Sequence, residues 1–433
     1  MAENTREIVL DTLLVLERGE EFSHRLIRAV LDKYNYLEER DKAFIKRLTE
    51  GTIERQTELD YYLDACSSVP VRKMKPLIRC LMRMSVYQLL YMDNVPDSAV
   101  CNEACKLAQK RKFGSLKGFV NGVLRSIARQ KENLPMPNRE EDFFAYLSIK
   151  YSMPLWLVQL WTDAYGSERT ERILQGLLDI HPVSLRFSAK LTADEREKLV
   201  RDLGQTGAVL WQSALVSGIY RVENTENITE LPGFAQGKFT VQDASSAMAV
   251  EAAGIRAGDF VLDICAAPGG KSILAAEKTG ESGRVLARDV SAKKTDLIQE
   301  NILRMGMNNI SVEVHDATEP DDAMAGRADV VLADVPCSGL GVLGKKRDIK
   351  YRVSPQRLME LEKLQRAIIG SCWQYVRPGG VLLYSTCTIN PAENEKMARW
   401  ISENFPFVLE EERQLMPGED ETDGFYYARL RRK

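Results

Sequence analysis

Two short segments carry thiols in settings that suit covalent chemistry. One reads Asp334-Val335-Pro336-Cys337-Ser338-Gly339; the other reads Tyr384-Ser385-Thr386-Cys387-Thr388-Ile389-Asn390-Pro391, followed by Glu393-Asn394. Each closes a short apolar run, ADVVLADVP and GGVLLYSTC, of the kind that forms a buried strand. A thiolate there is a nucleophile able to divide one hard step into easier ones. A free thiol has a pKa of about 8.5, so a working site must favour the thiolate near neutral pH. One thiol at a strand end is ordinary packing. Two of them, in one sheet and beside a ligand pocket, are harder to dismiss, though chain order does not say which attacks.

The elements that must position them lie in residues 236–433. Strand-like runs FVLDICA, RVLARDV and ISVEVHD precede the two thiol runs, and helical stretches such as KSILAAEKT and AKKTDLIQENILRM separate them. Strands alternating with helices specify a mostly parallel, doubly wound α/β sheet, which binds ligands beyond the carboxyl ends of its strands. The first strand ends in Asp263-Ile264-Cys265-Ala266-Ala267-Pro268-Gly269-Gly270-Lys271, where a helix begins. Its glycines let backbone approach a ligand, and the helix start offers unpaired N–H groups. Asp289, nineteen residues after Gly270, ends the next strand and is placed to accept from ribose hydroxyls. The turn between this first strand and its helix carries neither G-x-G-x-x-G nor G-x-x-x-x-G-K-[ST], which argues against a dinucleotide or a triphosphate.

The rest of the 433 residues exceeds one core, so three domains are expected: 1–137 all helix, 138–235 a small α/β module, and 236–433 the α/β sheet. Apolar residues recur at helical spacing in Val9, Leu13, Leu16 and in Leu77, Leu81, Met84, Tyr87, Leu90. Breaks fall at Gly19, Val69–Pro70, Asn94–Pro96 and Phe113–Gly114. Net charge is −5 over residues 1–70 and +9 over 71–130. A solvated helical face explains that alone; a phosphate-binding surface gains weight if the chain handles nucleic acid. The remaining cysteines are Cys66, Cys80, Cys101, Cys105, Cys265 and Cys372. No CxxC pair occurs and His24, His181 and His315 are scattered, so no metal is expected. With no signal-like start and no bilayer-length apolar run, we expect a cytoplasmic monomer with reduced thiols and no membrane partner.

Two resemblances sharpen this. Asn102-Glu103-Ala104, Ala108-Gln109-Lys110 and Phe119-Val120-Asn121-Gly122-Val123-Leu124 resemble the NusB family of helical RNA-binding proteins. The unit from Asp263 to Asp289, the lead-in Val241-Gln242-Asp243-Ala244-Ser245-Ser246 and both thiol segments resemble the Nol/Nop/Sun family, class I methyltransferases acting on C5 of cytosine in RNA. The likeness implies that Cys265, Ala266, Ala267, Pro268, Gly269, Gly270 and Lys271 line an S-adenosylmethionine pocket, that Asp289 holds the ribose, and that Asp316 borders the adenine. His315 stands where many members have glycine.

The resemblance also implies roles for the reacting groups. C5 of cytosine is a poor nucleophile until a thiolate adds at C6. DNA cytosine methyltransferases use a Pro-Cys cysteine, which would point to Cys337. The RNA family uses the Thr-Cys cysteine, here Cys387, and its Pro-Cys cysteine, here Cys337, assists release. Asp334 would hydrogen-bond the base and also border the cofactor, with Lys271 in the same network. Cys265 and Cys372 receive no chemical role, and the closing Asp423-Gly424-Phe425-Tyr426-Tyr427-Ala428 is expected to be a purely structural antiparallel strand. A NusB-like front joined to this domain implies 16S ribosomal RNA as substrate. The alternatives are transfer RNA as substrate, or a non-catalytic RNA-binding factor, which would leave both thiols idle.

Overall fold

The computed structural model describes residues 4–179, 182–225 and 227–433, so His181 lies outside the described residues. The chain divides into two compact units. One runs to Leu178 and includes Leu343–Arg352; the other comprises Asp179–Val342 and Val353–Lys433. These divisions differ from the boundaries expected at 137 and 235.

The first unit is all helix: α1 (Thr5–Glu17), α2 (Ser23–Lys33), α3 (Glu39–Glu54), α4 (Gln56–Cys66), α5 (Pro76–Tyr91), α6 (Asp97–Lys110), α7 (Lys117–Gln130), α8 (Phe143–Lys150), α9 (Leu155–Tyr165) and α10 (Ser167–Leu178). Its core gathers the residues the spacing singled out. Val9, Leu13, Leu81, Met84 and Tyr87 are buried, while Leu16, Leu77 and Leu90 pack partly buried against them. The expected breaks separate α1 from α2, α4 from α5, α5 from α6 and α6 from α7. Helices α8 to α10 extend this unit past residue 137 because the turn after α8 is tied back to α4, where the Glu58 amide donates to Ser152 Oγ at 3.2 Å.

The second unit opens with β1 (Val183–Phe187), α11 (Ala193–Gly204), β2 (Val209–Gln212), β3 (Ile219–Glu223) and β4 (Phe239–Val241). They form a small antiparallel sheet in the order β2-β3-β1-β4. Next come α12 (Ala244–Ala252), β5 (Phe260–Asp263), α13 (Gly270–Thr279), β6 (Arg284–Asp289), α14 (Ala292–Arg304), β7 (Ile310–Val314) and β8 (Ala328–Asp334). The turn α15 (Ile349–Arg352) belongs to the first unit, and α16 (Pro355–Cys372), β9 (Val376–Thr386), α17 (Glu395–Asn404), β10 (Phe407–Leu415) and β11 (Phe425–Arg432) complete the second.

The large sheet runs β10-β11-β9-β8-β5-β6-β7. Strands β5 to β9 are parallel, and β10 and β11 add antiparallel at one edge, as the sequence led us to expect. Alternate residues feed two cores. Val261, Val330, Leu332 and Leu383 face one that includes Ile273 and Ile298, while Leu262, Val331, Ala333 and Leu382 face another that includes Ile368 and Met397. Burial on both faces is why these strands read as unbroken apolar runs. The connections run outward from β5 to β6 and β7 on one side, and to β8 and β9 on the other. The order therefore reverses between β5 and β8, where an open α/β sheet forms its ligand crevice.

The sequence did not foretell the excursion at Leu343–Arg352. Its polar groups are satisfied within the helical unit. Asp348 accepts from the Ser23 amide at 3.0 Å and from Ser23 Oγ at 2.6 Å. Buried Lys350 donates to the carbonyls of Glu54 and Ser152 at 2.7 and 2.6 Å, and burial pushes its pKa down to about 7.

Candidate active site

On the β5–β6 side the backbone makes the site. Gly269 sits at φ +102°, in the left-handed region, and a Cβ there would meet Ile298 Cγ2 at 3.2 Å. Both conditions call for glycine. Helix α13 starts immediately afterwards with no side chain of its N-cap residue capping its first N–H groups. Buried Asp289 is held by the loop itself: Oδ2 accepts from the Ala267 amide at 2.9 Å, and Oδ1 from the Val290 amide at 2.8 Å and Lys294 Nζ at 2.9 Å. Asp316 Oδ1 accepts from the Thr318 amide and hydroxyl at 2.9 and 2.7 Å, which lowers its pKa.

Beneath the loop, Asp263 is fully buried. Oδ2 accepts from Ser272 Oγ at 2.6 Å, while Oδ1 has no partner. Burial pushes its pKa up to about 7 against that hydrogen bond. The Cys265 thiol is driven well above its ordinary pKa by burial and then by the charges of Asp263, Asp289 and Asp334. A thiol so far from ionising is a poor nucleophile. Open helix N–H groups, carboxylate acceptors and one unsatisfied buried oxygen form a donor and acceptor set that fits an adenosyl ligand bearing hydroxyl, amino and carboxylate groups.

On the β8–β9 side, side chains make the site. The two strands are adjacent and in parallel register, Asp334 opposite Ser385, so the loops that leave them run side by side. They bring Cys337 Sγ and Cys387 Sγ to 3.2 Å, with no disulfide between them and both half-buried. The hydrogen bond to Cys387 first, then burial and the charges of Cys387 and Glu393, raise the Cys337 pKa well above normal. Asp334 accepts Lys271 Nζ at 2.6 Å on Oδ2 and Ser385 Oγ at 2.9 Å on Oδ1. Burial works against the charge on Lys271, but Asp334 outweighs it and the pKa rises; Asp263 and Cys387 act in the same direction. Lys271 thus bridges the two sides, starting in the helix-opening loop and ending among the reacting groups. Cys372 is fully buried away from them, and burial lifts its pKa to about 12.

Several groups here escaped the sequence reading. Ser338, Thr388, Asn390 and Gln365 form a buried network with Glu393. The final strand also does more than expected. The Lys271 ammonium lies 5.3 Å from the Phe425 ring centre, and the Gly424 amide donates to the Gly341 carbonyl at 2.9 Å. A Cβ on Gly341 would collide with that Gly424 backbone, so the Cys337 loop is laid directly on the strand.

In the helical unit, the charge asymmetry partly cancels. Glu7 and Asp11 pair with Lys110 and Arg111, Glu17 with Arg79, and Asp60 with Arg83. Arg72, Lys73, Lys112, Lys117 and Arg129 stay exposed outside these pairs.

Comparison with known proteins bears on both units. Residues 252–431 match the family model described as 16S rRNA methyltransferase RsmB/F, and residues 3–129 match the NusB family. The chain is 33% identical over 449 residues to the probable ribosomal RNA small subunit methyltransferase B of Bacillus subtilis (strain 168), spanning 99% of each. It is 31% identical to the ribosomal RNA small subunit methyltransferase B of Vibrio cholerae, covering 95% of this chain and 94% of that one. Among solved structures, PH0851 is similar over the whole of both chains, with a TM-score of 0.83 and 25% identity. NSun6 from Pyrococcus horikoshii shares the fold over 64% of this chain and 98% of its own, at TM-score 0.57 and 21% identity.

Proposed function

The chain belongs to the 16S rRNA methyltransferase RsmB/F family, and from that premise we propose that it methylates C5 of one cytosine in 16S ribosomal RNA through a transient bond from Cys387 to C6. The observation that carries the reading is the pair of sulfurs 3.2 Å apart at neighbouring strand ends, beside the cradle of residues 265–271. RNA binding alone needs neither thiol.

S-adenosylmethionine supplies the methyl group as an electrophile. Cys265 through Lys271 and Asp289 would hold it, the open N–H groups at the helix start being suited to a negatively charged group. The Cys387 thiolate adds to C6 of the base and makes C5 nucleophilic. Asp334 accepts from the exocyclic amino group, and Lys271, a donor, meets the charge that develops on the ring. C5 then takes the methyl.

In the release step the C5 proton goes to Cys337 as thiolate. The C5–H electron pair restores the ring double bond, and the C6–S bond breaks with its pair returning to Cys387. The leading cause that keeps Cys337 protonated is its hydrogen bond to Cys387. That bond is lost once Cys387 is bound to the ring, a change that favours the Cys337 thiolate at the stage that needs it.

Bases of duplex RNA are poorly reachable, so the target lies in a loop or is flipped out. The exposed cations of the helical unit contact phosphates and set orientation. Bisulfite sequencing of 16S ribosomal RNA from cells with and without the gene tests this: one cytosine should lose its protection in the deletion strain. Unchanged protection there, or label from tritiated cofactor entering only a transfer RNA pool, would overturn it.

A further inference from the structure

A carboxylate that the chemistry above does not use joins the two thiol loops. Glu393 lies in the turn before α17 and is fully shielded from solvent. Its Oε2 accepts from the Ser338 amide and from Gln365 Nε2, each at 2.9 Å; its Oε1 accepts from Ser338 Oγ at 2.5 Å and Asn390 Nδ2 at 3.0 Å. Ser338 adjoins Cys337, and Asn390 lies three residues past Cys387. One side chain therefore grips both loops and pins them to α16 through Gln365.

These four donors are neutral. Burying a carboxylate is costly, and a neutral side chain of the same shape could tie loops together. The charge must therefore matter to its surroundings. Cys337 faces Cys387, Glu393 and Tyr384, and the Glu393 charge adds to the other causes that hold the proton on its sulfur. Cys387, by contrast, lies in the field of the Lys271 ammonium. Two sulfurs 3.2 Å apart thus sit in opposing fields. Without such a difference, closely coupled thiols ionise as a pair and either one could attack.

We infer that Glu393 is a positioning residue for methyl transfer: it locks the two thiol loops together and keeps the proton on Cys337 while Cys387 attacks. This rests on the reading above, that both sulfurs act. A neutral substitute at 393 blurs the distinction between them, and removing the Ser338 hydroxyl loosens the tie, leaving its backbone amide bond to Glu393.

The test uses the full chain without RNA and follows iodoacetamide alkylation of each cysteine by peptide mass spectrometry across pH. In the wild type Cys387 reacts at lower pH than Cys337. Glu393→Gln should speed Cys337 alkylation at pH 7.5 severalfold, because one of the charges that hold the proton on its sulfur is gone. Glu393→Asp keeps the charge and should restore the wild-type midpoint, a rescue that a purely structural role does not give. Ser338→Ala is the second arm: it removes the hydroxyl bonds to Glu393 and Thr388 but keeps the amide bond, and bridging of Cys337 and Cys387 by dibromobimane should fall about twofold. A folded Glu393→Gln protein with the wild-type Cys337 profile overturns the inference; so does unchanged bridging in Ser338→Ala. Neither readout needs methyl transfer, so such a failure is distinct from that of the proposed function, which would show as a Cys387→Ala enzyme that still methylates RNA.

Discussion

The cofactor side and the thiol side of the large sheet lie on either flank of the β5–β8 reversal, yet they are built by different means. The first is made of backbone: a left-handed glycine, an uncapped helix start, and a carboxylate held by two amides. The second is made of side chains distant in sequence, Ser338, Gln365, Thr388, Asn390 and Glu393, meeting in a buried hydrogen-bonded network. Backbone geometry is encoded locally, in consecutive residues. A side-chain network exists only once the fold has closed. Damage to the first should weaken ligand binding; damage to the second should alter reactivity and stability while binding persists.

The sharpest break of this comparison is at Lys271, which belongs to both sides. Lys271→Met leaves Asp334 without its cation and should lower kcat by roughly 10²–10³-fold, the range for losing a positioned charge at the reacting atoms. Single-turnover methylation would check this, and a loss under tenfold would remove Lys271 from the chemistry. Gly269→Ala probes the backbone side alone. Forcing alanine into the left-handed region costs about 1–2 kcal/mol, so cofactor affinity measured by calorimetry should fall about tenfold or more. Alkylation of Cys337 and Cys387 should stay as in the wild type.

Asn390→Ala probes the other side. It removes one donor to a buried carboxylate, so the urea-unfolding free energy should drop by about 1–3 kcal/mol, with cofactor affinity kept. Stability should also carry a pH slope. Burial holds the Asp263 pKa near 7 in the folded chain, above its unfolded value of about 3.9. Between those values the folded state keeps a proton that the unfolded state has lost, so stability falls as pH rises from about 4 to 7. Asp263→Asn should flatten that slope, as read from unfolding free energies at pH 5 and pH 8.

The same contrast explains what was legible in the sequence. The helical repeat in Val9, Leu13 and Leu81, the strand runs of residues 260–386, and the Asp263 to Lys271 loop each lie within a window of consecutive residues, so pattern and turn chemistry expose them. The placement of Leu343–Arg352 in the helical unit was not legible, because Asp348 meets Ser23 and Lys350 meets Glu54 across some 300 residues. The Glu393 network was hidden for a similar reason. Glu393 and Ser338 stood out only as parts of two motifs 55 residues apart, with nothing to join them, and Gln365, 28 residues before Glu393, had nothing local to mark it. The final strand was read as scaffold alone because Phe425 resembles any apolar strand residue until Lys271 is seen beside it.

The central claim is that sulfur 387 makes the bond to the base and sulfur 337 lets it go. Incubating labelled 16S ribosomal RNA and S-adenosylmethionine with each alanine variant, then running a denaturing gel, tests it directly. Cys337→Ala should leave RNA covalently attached to the enzyme, and Cys387→Ala should give neither attached RNA nor methylated product. A Cys387→Ala enzyme that still captures RNA would contradict the account.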